Sequence, residues 1–405
     1  MDLTQRFLKY ISFDTQSDNF SETFPSTEKQ KALAKVLVQE LLEMGVSDAR
    51  MDHNGYVYGS IPANVENAPA LGLIAHMDTS PDLSGANINP SIISYTGGDI
   101  LLNEEKNIVM KTSEFPFLKD FVGDRLIVTD GTTLLGADDK AGIAEIMTVA
   151  EHLLTHPEIS HGKVCIGFTP DEEVGGGPRY FDYQAFGADF AYTLDGGRLG
   201  EVEYENFNAA AATVTVNGVN IHPGSAKNKM VNALRIAMEF DGMLPVHQRP
   251  ESTEGYEGFF HLNSMEGTVE RAVMHYIIRD HDLEKFQQKK NKMQQIAEYL
   301  CQSYGKDTIE LSIKDSYFNM LEPMRKHMHL VDNARKVVED MGLTPLSVPI
   351  RGGTDGATFT YKGLPCPNLG VGGFNAHGKY EFASISQMEG AVEMLLRLIE
   401  LYCGR

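Results

Sequence analysis

Cysteine is scarce in this chain: four in 405 residues, Cys165, Cys301, Cys366 and Cys403, far apart and with no C-x-x-C. That spacing excludes a disulfide framework and a thiolate zinc site, and a reducing cytoplasm is the expected compartment. Long apolar runs are missing too, and none approaches the ~20 residues that a membrane-spanning helix needs. The opening residues, MDLTQRFLKYISFDTQ, have neither a long apolar core nor a small-residue cleavage pattern, so no secretory signal is expected. Basic residues are in deficit, 35 against 56 acidic, and the formal net charge of −21 argues against nucleic acid or an anionic membrane as partner. No internal repeat and no low-complexity tract occurs, which rules out solenoids and linkers. Neither H-E-x-x-H nor G-x-S-x-G is found. GFNAHGKY, residues 373–380, falls short of a phosphate loop because Tyr380 stands where Ser or Thr would hold magnesium.

What is present is an ordinary globular composition, 42% hydrophobic and 22% charged, in a chain long enough for two or three domains. Residues 1–15 and 27–45 read as helices, the second capped by Ser26 or Thr27 and closed by Gly45. Asn54-Gly55 signals a turn before YVYGSIPA. The apolar run Leu71, Leu73, Ile74, Ala75 reads as a covered parallel strand, and it ends in His76 and Asp78, which share a face. Residues 81–125, rich in Gly, Asn, Pro and Ser, read as a long surface excursion. From Asp138 onward DDKAGIAEIMTVAEHLLTH reads as a helix with acids in its first turn, where a capping role for Asp138 is an equally simple reading.

The strand-end pattern recurs. KVCIGFT, residues 163–169, is followed by Asp171, Glu172 and Glu173; ADFAYTLDGG, residues 188–197, ends in Asp195 and a glycine pair; and LPCPNLGVGGFNAHGKYEF runs from a strand to His377. In open α/β sheets function gathers outside the carboxyl ends of the strands. Five carboxylates assembled there would repel one another and hold protons unless a cation neutralised them. Imidazole and carboxylate without thiolate suit zinc in a catalytic site, or manganese or cobalt. Between about 207 and 315 the texture changes to alternating strands and a long polar-faced helix, the mark of an inserted α+β sandwich. The glycines of RGGTDG, near residue 351, imply a tight turn.

Seven blocks, AHMDTS, GADDKAG, TPDEEVGGG, TLDGG, NIHPGSAKNKM, RGGTDG and FNAHGKYEF, follow one another in this order. Together they resemble the two-zinc aminopeptidases of the M20 metallopeptidase family over nearly the whole chain. The resemblance implies a mixed-sheet α/β/α zinc-exopeptidase catalytic domain, residues 1–206 and 316–405, carrying an inserted α+β lid domain, residues 207–315. It implies that Asp138 bridges two Zn²⁺ ions, that His76 and Asp195 complete one shell and Glu173 and His377 the other, and that Co²⁺ or Mn²⁺ can substitute. Asp78 is then the orienter of His76, and Glu172 the general base. The implied reaction releases the N-terminal residue of a tripeptide through attack of a metal-bridging hydroxide on the peptide carbonyl. His222, in NIHPGS, would steady charge on the carbonyl oxygen, and Arg279 and Arg351 would grip a substrate carboxylate. With His222 and Arg279 on the insert, hinge motion about residues 206 and 316 is expected. The partner is a small peptide, and the resemblance further implies a homodimer formed through the insert. A dipeptidase, carboxypeptidase or N-acyl amino acid deacylase of the same family is the competing reading, since no residue measures substrate length.

Overall fold

The run Leu71–His76 forms a strand buried at every residue. Its neighbours explain this: it lies inside a seven-stranded sheet, between Val164–Thr169 and Phe190–Gly196, parallel to both. Asn368–Gly370 continues the parallel set, while Val57–Ile61, Arg50–Met51 and Val202–Glu203 pair antiparallel toward the two edges, so the sheet is mixed. The molecule is described by a computed structural model for residues 1–404. The chain divides into two compact units, one comprising Met1–Tyr204, Pro323–Ser347 and Thr354–Arg405, the other Glu205–Glu322 and Val348–Gly353.

In the first unit the sheet is covered on both faces, which is why its central strands read as continuous apolar runs. One face packs against the helix Ala137–Thr155, itself buried along nearly its whole length. The helix approaches the strand Phe190–Gly196 so closely at Gly142 that a Cβ there would lie 2.1 Å from the Leu194 carbonyl oxygen. The other face carries Tyr56, Tyr58, Ile74, Phe181, Phe186 and Phe359. The expected turn at Gly55 is present, with φ of 95° between strands in which Met51 faces Val57.

Two local expectations need correction. The second helix runs Gln30–Met44 without a side-chain cap. Ser26 and Thr27 are engaged elsewhere: Ser26 donates through its backbone N–H and its hydroxyl to Asp171, and Thr27 donates to the Gln16 carbonyl. Nor is the segment 81–125 irregular throughout. It supplies Ser91–Ser94 to a four-stranded antiparallel sheet with Arg125–Val128, Phe382–Ser384 and Gly373–Phe374, and a hairpin of Ile100–Asn103 with Ile108–Met110. These strands are two to four residues long, too short for a period of two to show. Their core is aromatic: Phe121 meets Phe374 at 4.8 Å and Phe382 at 5.3 Å.

The second unit is a four-stranded antiparallel sheet in the order Phe259–Gly267, Arg271–Asp280, Asn208–Asn217, Ile309–Tyr317. The helices Ala233–Gly242 and Leu283–Tyr304 pack against it around Val214, Ile236, Phe240, Met274, Ile278 and Phe286.

Candidate metal centre

Parallel register aligns the strand ends. His76 is paired with Thr169, so the turn after Val164–Thr169 lies beside the histidine, and Asp195 arrives on the next strand. The helix Ala137–Thr155 begins irregularly here: Asp138 and Asp139 have non-helical backbone angles, and Gly136 has φ of 79°. Asp138 is therefore no helix cap. Asp139 takes that place, accepting from the Gly142 N–H at 3.3 Å through Oδ1 and from the His76 N–H at 3.1 Å through Oδ2.

The seven candidate residues of the first unit converge. His76 Nε2 lies 2.8 Å from Asp138 Oδ1 and 3.5 Å from Asp195 Oδ1. His377 Nε2 lies 3.3 Å from Asp138 Oδ2 and 2.9 Å from Glu173 Oε2. Asp138 thus turns one oxygen to each histidine. His76 Nδ1 is 3.4 Å from the Asp78 carboxylate but 3.1 Å from the Asp78 carbonyl, so both fix the imidazole. The same Asp78 carboxylate accepts from the Glu172 N–H at 2.9 Å and the Glu173 N–H at 3.2 Å, tying the two strand ends together.

Of three supporting acids, Glu381 and Asp355 escaped the sequence as individual residues, and Asp171 stood out only beside Glu172 and Glu173. Asp171, with φ of 59°, turns the chain into the Glu172–Val174 segment, and its carboxylate is held by Ser26 and by Gln30 at 2.6 Å. Glu381 accepts from the N–H groups of Leu135 at 2.6 Å, Gly136 at 2.8 Å and Asp138 at 3.1 Å, bracing the loop that carries Asp138 from the loop that carries His377. Asp355, accepting from Thr169 Oγ1 at 3.2 Å, is pushed up to about 8 by burial. The only sequence signal for Glu381 and Asp355 was membership of FNAHGKYEF and RGGTDG. The buried Lys140, pushed down to about 8 by burial, donates to the Phe13 carbonyl at 2.9 Å and anchors the N-terminal segment.

The electrostatics are those of a cluster short of positive charge. Burial pushes Glu173 up to about 7 and Asp195 up to about 6. Burial, reinforced by the charge of Asp355, raises Glu172 well above the carboxylate range. For Asp138 burial acts upward, but its bonds to His377 and His76 outweigh it and pull it down. His377 is pushed up to about 11 by its bonds to Asp138 and Glu173. For His76, burial opposes the charge, yet Asp195, Asp138 and Asp78 together raise it well above its ordinary value.

A pair of divalent cations fits these residues. His76, Asp138 and Glu173 offer ligand atoms within 4.8 Å of one another, as do His76, Asp139 and Asp195. Asp139 is already spent on two backbone donors, which leaves Asp138 as the carboxylate shared between the histidines. Glu173 Oε1 is buried without a hydrogen-bond partner, an acceptor waiting for a positive charge. Ligation requires neutral imidazole, so cation uptake near neutral pH should release the proton from each histidine, and affinity should rise with pH. Calorimetry of zinc binding in buffers of different ionisation heat measures this release; uptake without proton release would show that both imidazoles are already neutral in the metal-free protein.

The remaining candidates lie in the second unit. His222 is exposed; its Nδ1 accepts from the Gly224 N–H at 3.2 Å, which leaves the ring proton on Nε2. Arg279 lies over the Tyr317 ring at 5.1 Å and donates to the Ile278 carbonyl. Arg351 donates to the carbonyls of Gly255 and Glu257 at 2.8 and 2.9 Å and to Thr253 Oγ1 at 2.9 Å. A substrate carboxylate would have to displace those acceptors from Arg351.

The sequence profile of the peptidase dimerisation domain matches residues 204–307. Peptidase T of Clostridium novyi is 55% identical over 402 residues, covering 99% of each chain. Among solved structures, aminopeptidase PepT from Bacillus cereus superposes with a TM-score of 0.78 at 23% identity, covering 99% of this chain and 98% of its own. A tripeptidase from Staphylococcus aureus gives 0.79 at 21% identity, covering 100% and 98%. At those identities the two structures speak for the fold.

Proposed function

The chain belongs to the peptidase T group of the M20 metallopeptidases, and from that premise we propose that it releases the N-terminal residue of tripeptides at a centre built from His76, Asp138, Glu173, Asp195 and His377. The observation that carries this reading is Asp138 turning one oxygen to each histidine. Two bound cations, for which the imidazole and carboxylate donors favour Zn²⁺ with Co²⁺ or Mn²⁺ as substitutes, would acidify water and polarise the scissile carbonyl.

The chain's own groups do the rest. Glu172 takes the proton of the attacking water and passes it to the leaving amine; its burial makes it a stronger base than a solvated carboxylate. Asp78 positions that base through its backbone while holding His76. In the second unit His222 keeps its Nε2 proton free to donate, the property that suits it to a carbonyl oxygen on which charge develops. Arg279 grips the substrate carboxylate, with Arg351 as a further donor once released from its loop. The wide spacing of the four cysteines, with no C-x-x-C, supports a cytoplasmic home, and the match to a dimerisation domain supports a homodimer formed through the second unit.

Tripeptides with free and acetylated amino ends distinguish this reading from its relatives. Cleavage of the free peptide alone, with the first residue released, is the expected result; equal or faster cleavage of the acetylated peptide would point to a deacylase or carboxypeptidase instead.

A further inference from the structure

A cavity of about 280 Å³ in the first unit is lined by the carboxylates of Asp138, Asp139, Asp195 and Glu381, by Asn375, and by small and apolar residues that include Ala137, Val371, Gly373, Phe374 and Ala376. Apart from Asp138 and Asp195, its side-chain polar groups already have partners. Glu381 is spent on three backbone N–H groups, Asp139 on two, and the Asn375 amide donates to the Tyr380 carbonyl at 3.1 Å. What remains is an apolar recess beside the carboxylates assigned to the cations. Its volume lies just under the ~300–1,000 Å³ of clefts that enclose a whole small ligand, so it suits part of a substrate. The wall is stiff: Phe374 is stacked on Phe382 at 5.0 Å and edge-on to Phe121 at 4.8 Å.

The reaction decides which part. In release of an N-terminal residue the attacked carbonyl belongs to that residue, and its side chain branches one carbon away. The rest of the peptide leaves from the other side of the carbonyl. An apolar recess against Asp138 and Asp195 is therefore within reach of the first side chain and too small for the two residues that follow. We propose that this cavity receives the side chain of the substrate's N-terminal residue and favours apolar side chains over glycine or an acid. The inference rests on the aminopeptidase reading above and adds its specificity.

Gly373 provides the test. A Cβ built there lies 3.4 Å from Ala137 Cβ, 3.8 Å from Val371 Cγ2 and 3.9 Å from the nearest backbone atom, so a substitution starts without a clash beside two of the cavity's walls. For the metal-loaded protein, kcat/KM for Leu-Gly-Gly should exceed that for Gly-Gly-Gly or Asp-Gly-Gly by about tenfold or more. Gly373→Val should erase most of that preference, and Val371→Ala should raise Phe-Gly-Gly relative to Leu-Gly-Gly. Binding of free leucine and glycine, followed by calorimetry, should show the same loss of leucine preference in Gly373→Val. Rates that fall equally for all peptides in Gly373→Val, with the leucine preference intact, would overturn the assignment. If no tripeptide is cleaved even by the unaltered protein, the aminopeptidase reading fails, and the leucine binding comparison still decides the cavity.

Discussion

Replacing Glu172 with Gln should lower tripeptide turnover by about 10²–10⁴-fold while two metal ions per chain remain bound. The substitution preserves shape, and the Glu172 backbone N–H stays on Asp78. What is lost is the ability to accept a proton. Steady-state rates at saturating peptide, with metal counted on the same sample, check this. Turnover within a few-fold of the unaltered protein would remove Glu172 as the base. Loss of metal in parallel with activity would make it a ligand instead.

Asp138→Asn should be more severe for the metals themselves. Its Oδ1 faces His76 and its Oδ2 faces His377, so one substitution weakens both shells. The loss in affinity should exceed the ~10–100-fold expected when only an outer partner is removed. The backbone at this position remains anchored by Glu381, so the fold should persist and thermal unfolding of the metal-free variant should stay cooperative. Retention of both metals at unaltered affinity would show that the shared carboxylate lies elsewhere, with Asp139 the nearest alternative.

The metal-centre residues named from the sequence share one property: each follows an apolar strand at its carboxyl end or opens the helix behind it. His76, Glu172, Glu173 and Asp195 were legible because a buried strand announces where it ends, and a charged group there has no packing reason to exist. Glu381 was not legible in that way. Its three donors lie 243 to 246 residues earlier in the chain, and no local pattern encodes such a partnership. Asp171 was noticed only as one of three adjacent acids, since its hold on Ser26 and Gln30 spans 145 and 141 residues. The helix cap expected of Ser26 failed for the same reason: a buried carboxylate 145 residues away competes for its hydroxyl. Residues 81–125 hid their strands because these are short, and because Arg125–Val128, on which Ser91–Ser94 pairs, takes its other partner, Phe382–Ser384, from the far end of the chain.

The most direct test of the paired-cation centre is hydrolysis of a plain tripeptide by the chelated protein, with zinc, cobalt or manganese restored stepwise, bound metal counted, and products separated by mass. Silence without metal, followed by release of the free N-terminal residue and a dipeptide as occupancy approaches two ions per chain, is the expected result. Undiminished cleavage by protein stripped of metal would contradict it.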